Sequence, residues 1–173
     1  MLSRRRLLTL LPLAALAGCG FRLRGANSVK LPYRTLFINL PETSDVRIWL
    51  ERYIRAAEST ELVDSAKSAE AIFQQVRDSR GKTILSVNAQ GRVREYRLQL
   101  DYAFRVVNAK GQELVRLNDI SLTRDISFDD SNVLAKDLEE GVLWRDMNND
   151  LVNQIMRRLT IVKPRDPNQE DDD

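Results

Sequence analysis

The chain offers few residues that could carry out catalysis. It contains no histidine, which removes the commonest general base and a common metal ligand. It also lacks a phosphate-binding loop, a dinucleotide fingerprint and a Gly-x-Ser-x-Gly elbow. Two adjacent acid pairs, residues 129–130 and 139–140, could in principle act together in sugar hydrolysis. Neighbouring acids at a helix start normally cap the helix or face its dipole. The composition therefore favours a binding, structural or assembly protein.

The single cysteine, Cys19, indicates lipid attachment. It comes directly after Gly18, behind a basic start (residues 4–6) and an apolar run (residues 7–16). A basic start, an apolar run, small residues and then cysteine are typical of a bacterial lipoprotein signal peptide. A membrane-spanning anchor would need roughly 20 apolar residues, more than this run has. The sequence predicts a signal peptide over residues 1–18, cleavage after Gly18 and a lipid on the Cys19 sulfur that anchors the chain to a bilayer.

Removal of the predicted signal peptide changes the net charge, and the length that remains sets the expected domain organisation. Removal of residues 1–18 leaves 155 of the 173 residues, enough for one modest core. Three of the 27 basic residues leave with the signal, so 24 basic residues face 25 acidic ones and the net charge falls from +2 to −1. We expect a lipid-anchored tether over residues 19–32, a single domain over residues 33–163 and a disordered acidic tail over residues 164–173. No nucleic-acid-binding signature is present, and no cofactor is predicted.

Two amphipathic helices are predicted. A side-chain oxygen from residues 43–45 can cap the first, whose apolar stripe is Val46, Trp49, Leu50, Tyr53, Ile54 and Ala57. One of residues 129–131 can begin the second, whose stripe is Leu134, Leu138, Val142, Met147, Leu151, Ile155 and Leu159. Each stripe predicts a helix that packs on a sheet.

The rest of the chain has strand character. Residues 33–40 read as a buried strand, and residues 71–76 and 83–87 as one strand interrupted by a loop or bulge at residues 78–81. Two further strands are predicted, residues 95–106 with strict alternation and residues 114–123 with a phase slip near Asn118. Asn-Ala-x-Gly turns precede both of them. We therefore expect an α+β fold, with two helices packed on one face of a four-stranded, largely antiparallel sheet.

Three stretches of the sequence carry a family resemblance. The mature start, residues 19–25 (Cys-Gly-Phe-Arg-Leu-Arg-Gly), resembles the opening of the LptE family of outer-membrane lipopolysaccharide-assembly lipoproteins. Residues 86–96 (Ser-Val-Asn-Ala-Gln-Gly-Arg-Val-Arg-Glu-Tyr) resemble that family's central hairpin, and residues 134–137 (Leu-Ala-Lys-Asp) the start of its last helix. Element order and length agree over essentially the whole mature chain.

The resemblance implies a non-enzymatic role. Members of the family are two helices on a four-stranded sheet, lodged in the lumen of the LptD β-barrel translocon as plug and assembly partner, and they bind lipopolysaccharide. Gly20 after the cysteine, rather than an acidic residue, is similar to lipoproteins sent to the outer membrane. The implied location is the outer membrane, lipid-anchored, on the periplasmic side and within the barrel.

The resemblance also implies binding residues. In the family, basic residues at the hairpin tip and at the start of the last helix are implicated in lipopolysaccharide contact. Lys136 matches the second position. The tip position, two before Gly91, is Ala89 here, so Arg92 and Arg94 on the other side of the turn would supply the charge. The alternative for all three is ordinary solvated charge.

A second function remains open from the sequence. The protein could be a free lipid-anchored periplasmic carrier, or a pilotin-like chaperone of another outer-membrane protein. That alternative predicts a lone lipoprotein with an open apolar groove.

Overall fold

The computed structural model describes residues 30–161. Its elements, in chain order, are strand β1 (Thr35–Asn39), helix α1 (Asp45–Ala57), strands β2 (Glu61–Leu62), β3 (Ala71–Val87), β4 (Val93–Val107) and β5 (Glu113–Ser127), a 3₁₀ turn (Asp130–Asn132) and helix α2 (Val133–Ile161). The predicted signal peptide, the lipidated Cys19, most of the tether and the acidic tail (164–173) lie outside the described residues, so they stay predictions. Neither α1 nor α2 is long and apolar enough to cross a bilayer.

The five strands form one mixed sheet in the order β2-β1-β3-β4-β5. Strands β3, β4 and β5 are antiparallel neighbours, whereas β1 pairs in parallel with β2 and β3. The predicted α+β class is confirmed, and the predicted four strands become five. The added strand, β2, is only two residues long, too short for side-chain alternation. It is recognised by backbone bonds, such as that from Glu61 N to Arg34 O at 2.9 Å.

Strand β3 runs without interruption through residues 78–81, where a loop or bulge was predicted. These residues pair with residues 99–102 of β4, and the register shifts lie outside them, at Val76 and between Ile84 and Val87. The prediction was wrong because it judged the polar stretch by its own composition. The long neighbouring strand provides partners for its backbone N–H and C=O groups, which outweighs low strand propensity.

Strand β4 supplies the centre of the core. Leu98, Leu100, Tyr102 and Phe104 are fully buried on its helix-facing side, as the alternating pattern predicts. The Phe104 ring stacks on that of Phe73 with centroids 5.2 Å apart. Both helices pack over this face, so they share one core with the sheet.

The opposite face of the β3–β5 sheet is charged and wet along most of its length, and near β1 a second, small apolar cluster of Ala69, Ile72 and Val107 covers it. Arg97 pairs with Asp125 through two bonds of 2.8 and 2.9 Å across adjacent strands, and Arg77 pairs with Asp119. The predicted phase slip near Asn118 is present as a register shift between Val115 and Asn118. Val115 before the slip and Ile120 and Leu122 after it are therefore all buried, whereas Leu117 at the slip is 51% exposed.

Helix α1 begins as predicted but buries a narrower stripe. Ser44 is its N-cap and accepts a 3.3 Å hydrogen bond from Arg47 N. Its buried residues are Val46, Leu50, Ile54 and Ala57. Trp49 is only partly buried at the edge of the core, and Tyr53 is 36% exposed. Both had been predicted to lie inside.

Helix α2 divides into two halves with different surroundings. The predicted inward residues of its second half are buried: Met147, Leu151, Ile155 and Leu159. Those of its first half are exposed: Leu134 at 76%, Leu138 at 67% and Val142 at 45%. The step from Val142 to Met147 is five residues, which turns the helix by about 140° beyond a full turn. The first three residues therefore point away from the core, contrary to the prediction.

The division of α2 can be tested with one kind of substitution. Leu151→Ala removes a fully buried side chain and should lower the free energy of unfolding by about 2–5 kcal/mol through cavity formation. Leu138→Ala, on the same helix, should change it by less than about 0.5 kcal/mol. Guanidinium unfolding curves of the two variants measure this difference. Equal losses would contradict the described packing of α2.

Candidate functional site

A cleft of about 1010 Å³ opens between the β3–β4 hairpin, the end of β5 and the start of α2. All three predicted binding residues, Arg92, Arg94 and Lys136, line it. The two arginines lie on the hairpin and the lysine on the helix, more than 40 positions later in the chain. The fold therefore assembles on one surface residues that the sequence left far apart.

Asn88 builds the tip of the hairpin. Its side-chain oxygen accepts hydrogen bonds from Gln90 N at 3.0 Å and Arg92 N at 2.9 Å. Its backbone N–H donates to Arg92 O at 2.8 Å. Gly91 has φ +75°, a left-handed conformation that a side chain would oppose. The turn thus fixes the backbone from which Arg92 extends.

A second link ties the hairpin to the end of β5. Phe128 N donates a 2.7 Å hydrogen bond to Arg94 O, and Glu95 pairs with Ser127 in the strand register. The Phe128 ring meets the Tyr96 ring edge-on, with centroids 5.3 Å apart. The backbone of Arg94 is therefore fixed by its bond to Phe128 and by the pairing of the next residue with β5.

Lys136 reaches the cleft from the second turn of α2. Its ammonium donates to Ser127 Oγ at 3.0 Å and to Glu139 Oε2 at 2.8 Å, and its side chain is 21% exposed. It is thus less solvated than an ordinary surface lysine. Burial of its stem and two anchoring acceptors hold the charge at the inner wall.

The carboxyl of Asp129, one of the acidic residues that line the cleft, lies near two of its cations. Hydrogen bonds from Ser131 lower the pKa of its carboxyl, and the charges of Arg94 and Lys136 lower it further. Both cations therefore lie close enough to act on the same carboxylate. Asp129 also begins the turn into α2, since its side chain accepts from Ser131 N at 3.0 Å.

The guanidinium groups of Arg92 and Arg94 keep donors for a ligand. Both side chains are exposed, and among residues 30–161 neither forms an ion pair within 4.0 Å. Arginine can bind a phosphate or carboxylate through two parallel N–H bonds. Val87 and Val93 supply apolar surface beside them. The arrangement suits an anionic, partly apolar ligand.

Within the described range no group of acidic or cysteine side chains could hold a metal ion.

Sequence reasoning missed the residues that organise the cleft. Asp129 was predicted only as one possible start of the second helix. Ser127 and Phe128 follow the predicted end of the last strand, residue 123, yet β5 continues to Ser127. Their alternation is weak, so no local pattern marks them. Only the pairing of β5 with β4 shows that they face the hairpin.

Comparisons with known proteins place the chain among envelope lipoproteins. A family model described as LptE, lipopolysaccharide-assembly, matches residues 33–159. The LPS-assembly lipoprotein LptE of Pectobacterium atrosepticum is 29% identical over 166 residues, covering 92% of this chain and 88% of that protein. The protein of the same name from Yersinia enterocolitica is 28% identical over 167 residues, covering 93% and 78%.

Solved structures share the fold. An uncharacterized lipoprotein B from Nitrosomonas europaea, solved by NMR, superposes with a TM-score of 0.70 at 39% identity, covering 82% of this chain and 90% of that one. The rare lipoprotein B from Shewanella oneidensis superposes with a TM-score of 0.61 at 24% identity, covering 71% and 91%. At that identity the second structure supports the fold alone.

The pKa of Asp129 offers a test of the cleft's electrostatics. Replacing Arg94 and Lys136 together by glutamine should raise this pKa toward the ordinary aspartate value, because two nearby cations are lost. The rise should be partial, since the hydrogen bonds from Ser131 remain. Side-chain NMR titration measures it. Arg97→Gln, which removes the partner of Asp125 on the other face, is the control. An Asp129 pKa that responds equally to both changes would contradict the geometry.

Proposed function

Because the chain belongs to the LptE family of lipopolysaccharide-assembly lipoproteins, we propose that it is held at the outer membrane by acylated Cys19 and acts as the plug and assembly partner of the LptD β-barrel. We propose further that the cleft binds lipopolysaccharide through Arg92, Arg94 and Lys136, which line it beside the acidic residues Glu95, Asp129 and Asp130. The family's role is assembly of the lipopolysaccharide layer, not catalysis.

The observation that carries the binding proposal is the convergence of Arg92, Arg94 and Lys136 on one cleft. Lipopolysaccharide presents phosphates close to acyl chains. The arginines offer paired N–H donors for the phosphates, and the neighbouring valines offer apolar contact. Basic residues drawn from two distant segments are a stronger support for a built anion site than a single run of charge.

The wet face of the sheet supports a position in a polar lumen. Cross-strand ion pairs such as Arg97–Asp125 and Arg77–Asp119 cover the face turned away from the helices. Such a face is compatible with the water-filled interior of a large barrel, whose inward side chains are polar. It would be a poor contact for hydrocarbon.

The length of the sheet supports different functions for its two ends. Strand β3 has 17 residues, and at about 3.3 Å per residue it spans roughly 50 Å. Its first residues pair with β1, close to the start of the described chain, and its last residues form the cleft wall. The cleft would therefore lie far from the lipid anchor. With the cleft end entering the barrel first and the anchored end last, the cleft would lie deep in the lumen.

One observation favours the second candidate, a free carrier or pilotin-like chaperone. Leu134, Leu138 and Val142 form an exposed apolar stripe on α2, a surface that a carrier could offer to a lipid or an unfolded client. The stripe lies on the exposed side of a helix and outside the cleft, whereas carriage of an acyl chain calls for a concave site. We therefore prefer the translocon role.

Purification of the tagged, lipidated protein from detergent-solubilised outer membranes tests the partner. We expect a stoichiometric β-barrel of much larger mass, identified by mass spectrometry. A matched preparation of Leu151→Ala, which weakens the core, controls for partners that bind any misfolded lipoprotein. A lone lipoprotein at full expression and extraction would contradict the plug role and favour the carrier.

Charge reversal tests the cleft. Arg92→Glu combined with Lys136→Glu should weaken binding of purified lipopolysaccharide by at least about tenfold, because charge-assisted hydrogen bonds are replaced by repulsion. Binding is measured at fixed ionic strength on variants whose circular dichroism and unfolding midpoint are unchanged. Lys67→Glu with Lys110→Glu changes the net charge equally at exposed positions outside the cleft and should leave binding within about twofold. Unchanged binding by the folded cleft variant would refute the site but leave the plug role standing.

A further inference from the structure

The first half of α2 is held to the sheet by charged side chains. The positions that turn toward the sheet are Lys136 and Glu140, one helical turn apart. Lys136 donates to Ser127 Oγ at 3.0 Å, and Glu140 accepts from Lys82 Nζ at 2.6 Å. From residue 130 to residue 146 no residue is buried, and all the buried residues of α2 come after that range. A few polar contacts therefore hold this part of the helix in place of a core.

Unwinding of this first half would expose little new apolar surface. Its apolar residues Leu134, Leu138 and Val142 already face solvent. Because the hydrophobic effect scales with the apolar area removed from water, these side chains contribute little to holding the turns wound. In the second half of α2, by contrast, Leu151 and Ile155 are fully buried. Local opening of the first half should therefore cost much less free energy than opening of the second.

Gly141 lies at the boundary between the two halves. Glycine inside a helix is unfavourable relative to alanine, because its backbone gains more freedom when the helix unwinds. Packing does not require a glycine here, since an added Cβ would meet no other part of the molecule within 4 Å. Two residues further on, Leu143 and then Trp144 pack against the core. The glycine therefore favours unwinding just before the point at which the helix meets the core.

Both ends of this segment are fixed. Before it, Phe128 N donates a 2.7 Å hydrogen bond to Arg94 O and so ties the chain to the hairpin. After it, Leu143 and Trp144 pack on the core. A segment that is fixed at both ends cannot swing away as a rigid arm without breaking one of these attachments. It opens by losing helical turns between them.

We propose that residues 130–141 form a strap that unwinds to open the cleft and rewinds over a bound anionic ligand. Opening carries Lys136 away from Ser127 and removes one wall of the cleft, so that a bulky ligand can enter. In the closed state Lys136 meets the anion from the helix side, while Arg92 and Arg94 meet it from the hairpin. A ligand that makes the Lys136 contact only in the closed state shifts the population toward that state. The ligand's identity rests on the proposed function, whereas the opening of the strap does not.

Hydrogen exchange of the lipidated full chain in detergent, read by mass spectrometry, tests the opening. The amides of residues 137–141 bond within the strap and should exchange at least about a hundredfold faster than those of residues 147–159. Gly141→Ala should slow exchange of the strap by about two- to fivefold, and Ala135→Gly, at an exposed position, should accelerate it by a similar factor. Arg157→Gly, exposed in the second half of α2, is the matched control and should leave exchange of the strap unchanged.

Closure is tested with purified lipopolysaccharide as the probe, at a concentration that a separate binding measurement shows to be saturating. Saturation should slow exchange of the strap by at least about tenfold. The association rate should rise in Ala135→Gly and fall in Gly141→Ala, in proportion to the open population. Strap amides that exchange as slowly as residues 147–159 would overturn the proposal, as would saturated binding that leaves their exchange unchanged. A chain that binds no lipopolysaccharide would refute the proposed function and the closing step with it, while exchange in the free protein decides the opening in every case.

Discussion

Strand β4 is the element on which the rest of the structure depends. Both of its edges are paired, with β3 on one side and β5 on the other, and over most of its length its two faces separate a dry side from a wet one. Leu98, Leu100, Tyr102 and Phe104 give the helices a continuous apolar surface. The opposite residues, such as Arg97, carry charge into cross-strand pairs. A shift of its register by one residue would exchange these faces.

The same register makes the cleft. Because Glu95 pairs with Ser127, the backbone of Arg94 lies next to Phe128, and the chain then turns through Asp129 into α2. Lys136 can bond to Ser127 only because that turn is short. The hydrogen bonds of the sheet therefore bring the basic groups of the hairpin and the helix to one cleft. Direct contact between these groups is not what holds them there.

The molecule has two ends with different chemistry. One end combines β1, α1 and the approach to the predicted lipid anchor. The other end combines the hairpin tip, the close of β5 and the exposed first half of α2. Since β3 extends through both regions as one strand, the sheet acts as a stiff spacer between them. A family that must connect a membrane anchor to lipopolysaccharide assembly gains a fixed distance from such a spacer, which a flexible linker would not provide.

Much of the fold was determined by the sequence alone, because it follows from local patterns. The alternation around Tyr102 identified β4, the spacing from Val46 to Ile54 identified α1, and both Asn-Ala-x-Gly turns were recognised. Cys19 and the motifs that carry the family resemblance were also readable, since each is a short run of neighbouring residues. The confirmed family membership followed from them. What the sequence could not determine were features set by distant partners.

Only the tertiary structure decided four matters. Strand β2 exists because β1 offers it a parallel edge, and residues 78–81 are extended because β4 pairs with them. The apolar stripe of α2 divides because the five-residue step from Val142 to Met147 turns its first half away from the core, so Leu134 and Leu138 are exposed. The convergence of Arg92, Arg94 and Lys136 depends on strand register, which one-dimensional periodicity does not encode. Periodicity tells which side of an element is apolar, and only packing tells what lies opposite.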